Sequence, residues 1–126
     1  MNYRLSKNER LHAEKLIKEL FNEGSSFFLY PFKVLFLKKE DLIGQPNQVL
    51  FSVSKKKIKK ATGRNFIKRR LKEAYRLNKQ ILPPDGIILG LIFVGKAEMS
   101  FAEIQPKMVQ VLNRLNRELS QTPFSS

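Results

Sequence analysis

The sequence predicts an α+β protein, a two-layer α/β sandwich in which a single mixed sheet is packed by helices. Three observations carry this. Segments with helical periodicity alternate with segments rich in β-branched and aromatic residues, in the order helix, strands, helix, strand, helix. The apolar run Ile87 to Val94 is eight residues long and lies between Gly86 and Gly95, the length of a strand buried on both faces. The segment joining the second strand to that run is long enough for a helical crossover between parallel strands. The 126 residues, 42% of them hydrophobic, suit one domain around one core, taken as residues 1–126 with a frayed tail over 121–126. No internal repeat is visible.

Each element has its own signal. Residues 5–22 read as a helix: Ser6 and Glu9 have capping-box spacing, Leu16, Ile17, Leu20 and Phe21 form one stripe, and Gly24 stops it. Phe27 to Leu37 reads as strand, with Pro31 at an edge or bend. Asp41 to Asn47, containing Gly44 and Pro46, reads as a hairpin loop leading into a second strand over Val49 to Ser54. A helix follows over about Lys59 to Gln80, then a turn at Pro83-Pro84-Asp85-Gly86. The final helix starts either at a Ser100/Glu103 capping box or with Pro106 in its first turn, and continues through Met108, Leu112, Leu115 and Leu119.

Charge is the most uneven property of the chain. Between Lys55 and Lys79 lie twelve Lys and Arg against one acid, Glu73, a net +11 of the chain's +13. Such a block repels itself unless a polyanion offsets it, and it is the footprint of a nucleic-acid contact. The pI of about 10.2 alone leaves nucleic acid, an anionic membrane or an acidic protein as partner. The absence of cysteine excludes a disulfide scaffold, a zinc finger and a thiol nucleophile, and fits a reducing, cytoplasmic location. No apolar run reaches the ~18 residues of a membrane span, and the polar Met1-Asn2-Tyr3-Arg4 start lacks a signal-peptide core.

On a wheel at ~100° per residue, Ile67, Leu71, Ala74 and Tyr75 form the buried stripe of the basic helix. Asn65, Lys68, Arg69, Lys72 and Arg76 share a solvent arc, and Phe66, Arg70, Glu73 and Leu77 take the remainder. A charged arc is usually a solvated face, but such faces mix signs. Here Lys68/Lys72 and Lys72/Arg76 are like-charge i, i+4 pairs, each unfavourable by a few tenths of a kcal/mol. Asn65 reads either as a cap or as an amide set beside the Arg64 fork for phosphates, riboses and base edges. Lys55-Lys56-Lys57, at a strand end, reads as phosphate-reaching point charges or as a solubilising loop.

The pattern Ser52-Val53-Ser54-Lys55-Lys56, Ala61, Arg64-Asn65, Lys68-Arg69, Lys72-Glu73 and Arg76 resembles the signature of the bacterial ribonuclease P protein subunit, with its Arg-Asn-Arg-type helix. The Leu5-Ser6-Lys7 opening, the Leu20-Phe21-Asn22-Glu23-Gly24 helix end and the Phe32–Leu37 strand are similar too, so the likeness spans roughly residues 5–115. The resemblance implies that the basic helix is a left-handed crossover between parallel strands. It implies a subunit that joins a catalytic RNA to remove 5′ leaders from precursor tRNA, the RNA and its bound Mg²⁺ performing the hydrolysis. By position, Lys55, Lys56, Arg64, Asn65, Lys68, Arg69, Lys72 and Arg76 would contact RNA. A cleft lined by Ile17, Phe21, Phe36 and Ser52 would receive the single-stranded leader. The chain departs from the pattern at Lys72, where arginine is usual, at Ile17, where an aromatic is common, and at Gly63, inside the helix. A glycine usual over 57–60 is missing as well.

Catalysis by the chain itself finds no support in the residues. His12 is the sole histidine and reads as a surface residue, Asp41 and Asp85 fall in turns, and Glu9, Glu14, Glu19 and Glu23 read as solvated partners of Lys15 and Lys18. Convergent carboxylates for a metal-dependent nuclease cannot be assembled. No metal site is expected on the chain, Mg²⁺ being held mainly by the RNA partner. Most aromatics, Phe51, Phe93 and Phe101 among them, read as core. The alternative is a basic ribosomal or RNA-assembly protein with no part in cleavage. A DNA-binding module lacks a dimerisation element, and a membrane-surface role would need the apolar stripe that the core requires.

Overall fold

A computed structural model describes residues 5–122. Among them the elements run α1 (Glu14–Glu23), β1 (Ser25–Leu29), β2 (Phe32–Leu37), β3 (Gln48–Val53), α2 (Ala61–Asn78), β4 (Ile88–Phe93) and α3 (Phe101–Leu119). The four strands form one mixed sheet in the order β1-β2-β4-β3. β1/β2 and β2/β4 are antiparallel and β3/β4 is parallel, so α2 is the crossover between adjacent parallel strands.

This order corrects two readings. Phe27 to Leu37 is not one strand but a hairpin, turned at Tyr30-Pro31 through a cis peptide bond. Residues 41–47 are not a hairpin loop, because β4 lies between β2 and β3. The reason is hydrophobic: β4 is the most apolar strand, and a strand that must be dry on both faces takes the centre. Asn47 fixes the crossing point. Its buried amide accepts from Asp85 N (3.0 Å) and Ile87 N (2.9 Å) and donates to the Pro83 carbonyl (3.0 Å). Gly86 completes that turn at φ +66°, where a Cβ would fall 1.9 Å from the Leu42 carbonyl oxygen.

Side chains alternate along every strand. One face carries Phe27, Phe32, Val34, Phe36, Val49, Phe51, Val53, Leu89, Leu91 and Phe93 against the buried stripes of α2 and α3. The other face carries Leu35, Leu37 and Ile88 against Leu20 of α1, with Leu16 and Ile17 at the margin. The α+β class, with a single mixed sheet packed by helices, is as the sequence predicts, and α1 lies on the face opposite α2 and α3.

The N-terminal helix is shorter than its periodicity predicts. Ser6 and Glu9 do interact, Ser6 N donating to Glu9 Oε1 at 3.1 Å, but they close a 3₁₀ turn over Lys7–Glu9. The chain then extends, pairs Arg10 with Val49 in a parallel bridge, donates Leu11 N to the Val49 carbonyl at 3.0 Å and buries Leu11. Backbone groups at the edge of β3 thus outcompete the helix and are shielded in return. At the other end Ser100 caps α3 reciprocally with Glu103, and Pro106 lies inside the helix rather than in its first turn. Gln121 and Thr122 continue hydrogen bonding to the end of α3, and Lys38 Nζ donates to the Leu119 and Thr122 carbonyls. Residues 123–126 of the tail read as frayed lie outside the described residues.

Candidate nucleic-acid interface

α2 is anchored before it begins. Ile58, buried in the loop after β3, packs into the core. Arg64 clasps the same loop, its Nη1 donating to the carbonyls of Ile58 (3.0 Å) and Lys59 (2.7 Å). Gly63 is what lets loop and helix approach: a Cβ there would stand 2.9 Å from Ile58 Cγ2. The glycine that looks costly inside a helix is thus a packing requirement. Lys55, Lys56 and Lys57 stand exposed in the turn after β3.

Burial of Ile67, Leu71, Ala74 and Tyr75 fixes the rotation of the helix, as its periodicity predicts. Asn65, Arg69 and Lys72 are consequently exposed, with Lys68 and Arg76 half-buried. Asn65 is the fifth residue of α2, whose N-cap is Lys60, so it is not a cap, and its amide faces solvent. Lys68, Arg69 and Lys72 make no ion pair among the described residues. Glu73 pairs with Arg76, not with Lys72, Arg76 Nε donating to it at 3.2 Å. Arg69, Lys72, Glu73 and Arg76 share a shallow recess of about 450 Å³ with Leu5 and Arg10. Sequence periodicity does not reveal Arg10, which reaches α2 from about sixty residues away through the bridge to Val49 and the neighbouring Glu9–Lys79 pair.

A second surface lies beside α1, where the helix leaves part of its sheet face uncovered. Phe28, Lys33, Ile92 and Ser52 form one cross-strand row there, in register across all four strands. Phe28 and Lys33 are exposed, Ile92 and Ser52 half-buried. On the helix Ile17 is half-buried and Phe21 is 52% exposed. Three of the four predicted cleft residues, Ile17, Phe21 and Ser52, therefore belong to α1 or to the sheet face it lies on. Phe36 does not. It points to the opposite face, is 2% exposed, and sits 6.1 Å from the Phe27 ring. The two-residue period of β2 turns its neighbours Leu35 and Leu37 toward α1 instead.

A family model described as ribonuclease P matches residues 5–116, covering both surfaces. The chain belongs to the ribonuclease P protein family. Relatives bear the name ribonuclease P protein component. One from Porphyromonas gingivalis is 41% identical over 78 residues, 62% of this chain and 57% of that protein, so the chain spans a little over half of it. One from Listeria innocua is 33% identical over 125 residues, 98% of this chain and 96% of that protein. The solved RNase P protein from Thermotoga maritima superposes with a TM-score of 0.70 at 30% identity, covering 84% of this chain and 96% of that one. The single mixed sheet with its three described helices is the fold of these ribonuclease P proteins.

Several acids of this family member serve structure. Glu9 accepts from Lys79 Nζ at 2.9 and 3.1 Å, tying the N-terminal turn to the end of α2. Burial opposes ionisation of Glu9, but the bonds from Lys79 and Ser6 outweigh it and hold the carboxyl below its usual range. Glu19 bonds Lys39, joining α1 to the segment after β2, and only Glu14 and Lys18 form the expected exposed pair within α1, at 3.5 Å. Tyr75 lies edge-on to Phe51 at 5.7 Å, and burial, with the Glu9 charge, pushes its hydroxyl pKa upward. His12 is exposed, Nδ1 2.9 Å from the Arg10 carbonyl oxygen. Among the described residues no three His, Asp or Glu side chains converge to hold a metal ion. No described helix is long and apolar enough to cross a membrane.

Proposed function

We propose that this chain is the RNA-binding subunit of a ribonuclease P, holding the catalytic RNA along α2 and the 5′ leader of precursor tRNA on the sheet face beside α1, and thereby promoting 5′ maturation of tRNA. The observation that carries the reading is the arc of Asn65, Lys68, Arg69 and Lys72. Its cations have no acidic partner among the described residues, and a buried stripe locks them outward. Lys55 and Lys56 extend the positive surface past the end of β3. Arg64 contributes chiefly by shaping the loop, since its guanidinium is engaged with two carbonyls. Arg76 is partly neutralised by Glu73.

The second surface fits a single strand better than a duplex. It is a row of two apolar and two polar side chains with a single positive charge, on the sheet face over which α1 carries the exposed ring of Phe21, and bases stack on such rings without sequence preference. This reading gives the chain no Mg²⁺ of its own: Glu9, Glu19 and Glu73 are each bonded to a lysine or arginine, and among the described residues no three acids converge. Hydrolysis and its metal are assigned to the RNA partner, and the protein supplies binding and position. Reconstitution tests this. Added to ribonuclease P RNA at low Mg²⁺, the chain should accelerate cleavage of precursor tRNA. No acceleration at any protein-to-RNA ratio rejects the reading.

A further inference from the structure

The recognition of phosphates leaves one feature of α2 unexplained. Phe66 is 59% exposed, the most exposed large apolar residue among those described, and it stands on the most cationic helix of the protein. It does not serve the core, whose stripe on this helix is complete without it. Nor is it a bare ring: the Arg70 guanidinium lies over it, Cζ 4.7 Å from the ring centroid. Its helical neighbours at the preceding position and one turn on are Asn65 and Arg69, both exposed.

We infer that Phe66 and Arg70 form a stacking platform for one unpaired nucleobase of the RNA partner, at the flank of the phosphate-binding arc. The chemistry selects that occupant. A flat, polarisable ring resting on a guanidinium offers stacking and cation–π attraction, and a nucleobase answers both. The base must arrive on a phosphate chain, and Arg69 stands one helical turn away to receive it. An apolar protein surface would have to bring acids to meet the surrounding charge, whereas RNA brings them in its backbone. The platform reads no base identity, because every base has a π-face, so it serves a bulged or looped nucleotide held by shape.

The inference rests on the RNA-binding reading, and the experiment separates the two. The chain has no tryptophan, so Phe66→Trp introduces a single reporter into the full-length protein. Its emission should be quenched on titration with ribonuclease P RNA. Phe66→Ala should weaken RNA binding about fivefold to a hundredfold without changing its salt dependence, because no charge is removed. Phe66→Trp should bind as well as the parent. The site is solvent-exposed, so circular dichroism should find both variants folded. Parental affinity in Phe66→Ala, or unquenched emission on saturation, overturns the platform, while a salt slope still reduced by Lys68→Ala leaves the broader reading standing. If the parent chain itself fails to bind, the broader reading is what fails.

Discussion

Replacing Lys68, Arg69 and Lys72 together by alanine should flatten the salt dependence of RNA binding by a predictable amount. The three side chains have no acidic partner among the described residues, so each is counted as one phosphate neutralised. Arg76, engaged by Glu73, is left out of the count. Each contact contributes about 0.7–0.9 to the slope of log K against log salt, so the triple variant should lose about 2.1–2.7 from it. Between 50 and 200 mM salt the parent should then lose about 20- to 40-fold more affinity than the variant. Anisotropy of labelled ribonuclease P RNA across that range gives both slopes. The substituted positions are exposed or half-buried on a helix held by four buried residues on its other side, so the fold should persist. Equal slopes in parent and triple variant would refute the placement of these cations on phosphates.

Other substitutions probe the neighbouring features. Glu73→Gln releases Arg76 and should steepen the same slope by about 0.7–0.9, with tighter binding at low salt; an unchanged slope would mean that Arg76 does not reach the RNA. Asn47→Ala removes the partner of two amides and a carbonyl in a partly buried turn, the Ile87 amide among them buried, and should cost about 1–3 kcal/mol in urea unfolding; a loss under about 0.5 kcal/mol would show the turn forms without it. Gly86→Ala, at φ +66° and against the Leu42 backbone, should cost about 3 kcal/mol or more by the same measure, and near-parental stability would refute the close approach. Glu9 has a depressed carboxyl pKa, so its contribution is full above the unfolded value near 4.5 and fades as pH falls through the folded one. The stability gap between parent and Glu9→Gln should accordingly be larger at pH 7 than at pH 3, and a gap independent of pH would contradict the ion pair with Lys79.

Local patterns made most of the fold readable. The stripe Ile67, Leu71, Ala74 and Tyr75 set the rotation of α2, and with it which cations face outward, before any coordinates. The apolar length of β4 announced its burial. What sequence could not supply was pairing between distant segments. The crossing beside β4 is pinned by the Asn47 amide meeting residues 83–87, and the early end of the first helix depends on an edge offered by Val49. Phe36 was misplaced because a resemblance transfers positions, while the facing of a strand residue turns on a register that shifts everything by one. Arg10 and the Glu73–Arg76 pair arise from tertiary proximity and from a choice between two neighbouring cations.

The strand synthesised last sits between two made earlier. Until Ile88–Phe93 leaves the ribosome, β2 has only β1 beside it, and β3 has only the short bridge at Arg10. α2 has by then emerged whole, with its positive charge and no finished sheet to lie on. A nascent chain halted before residue 88 should therefore be cut readily by protease, and one extended past residue 119 should resist. The truncated product would keep the adhesiveness of the helix and lose its aim, clinging to any polyanion nearby.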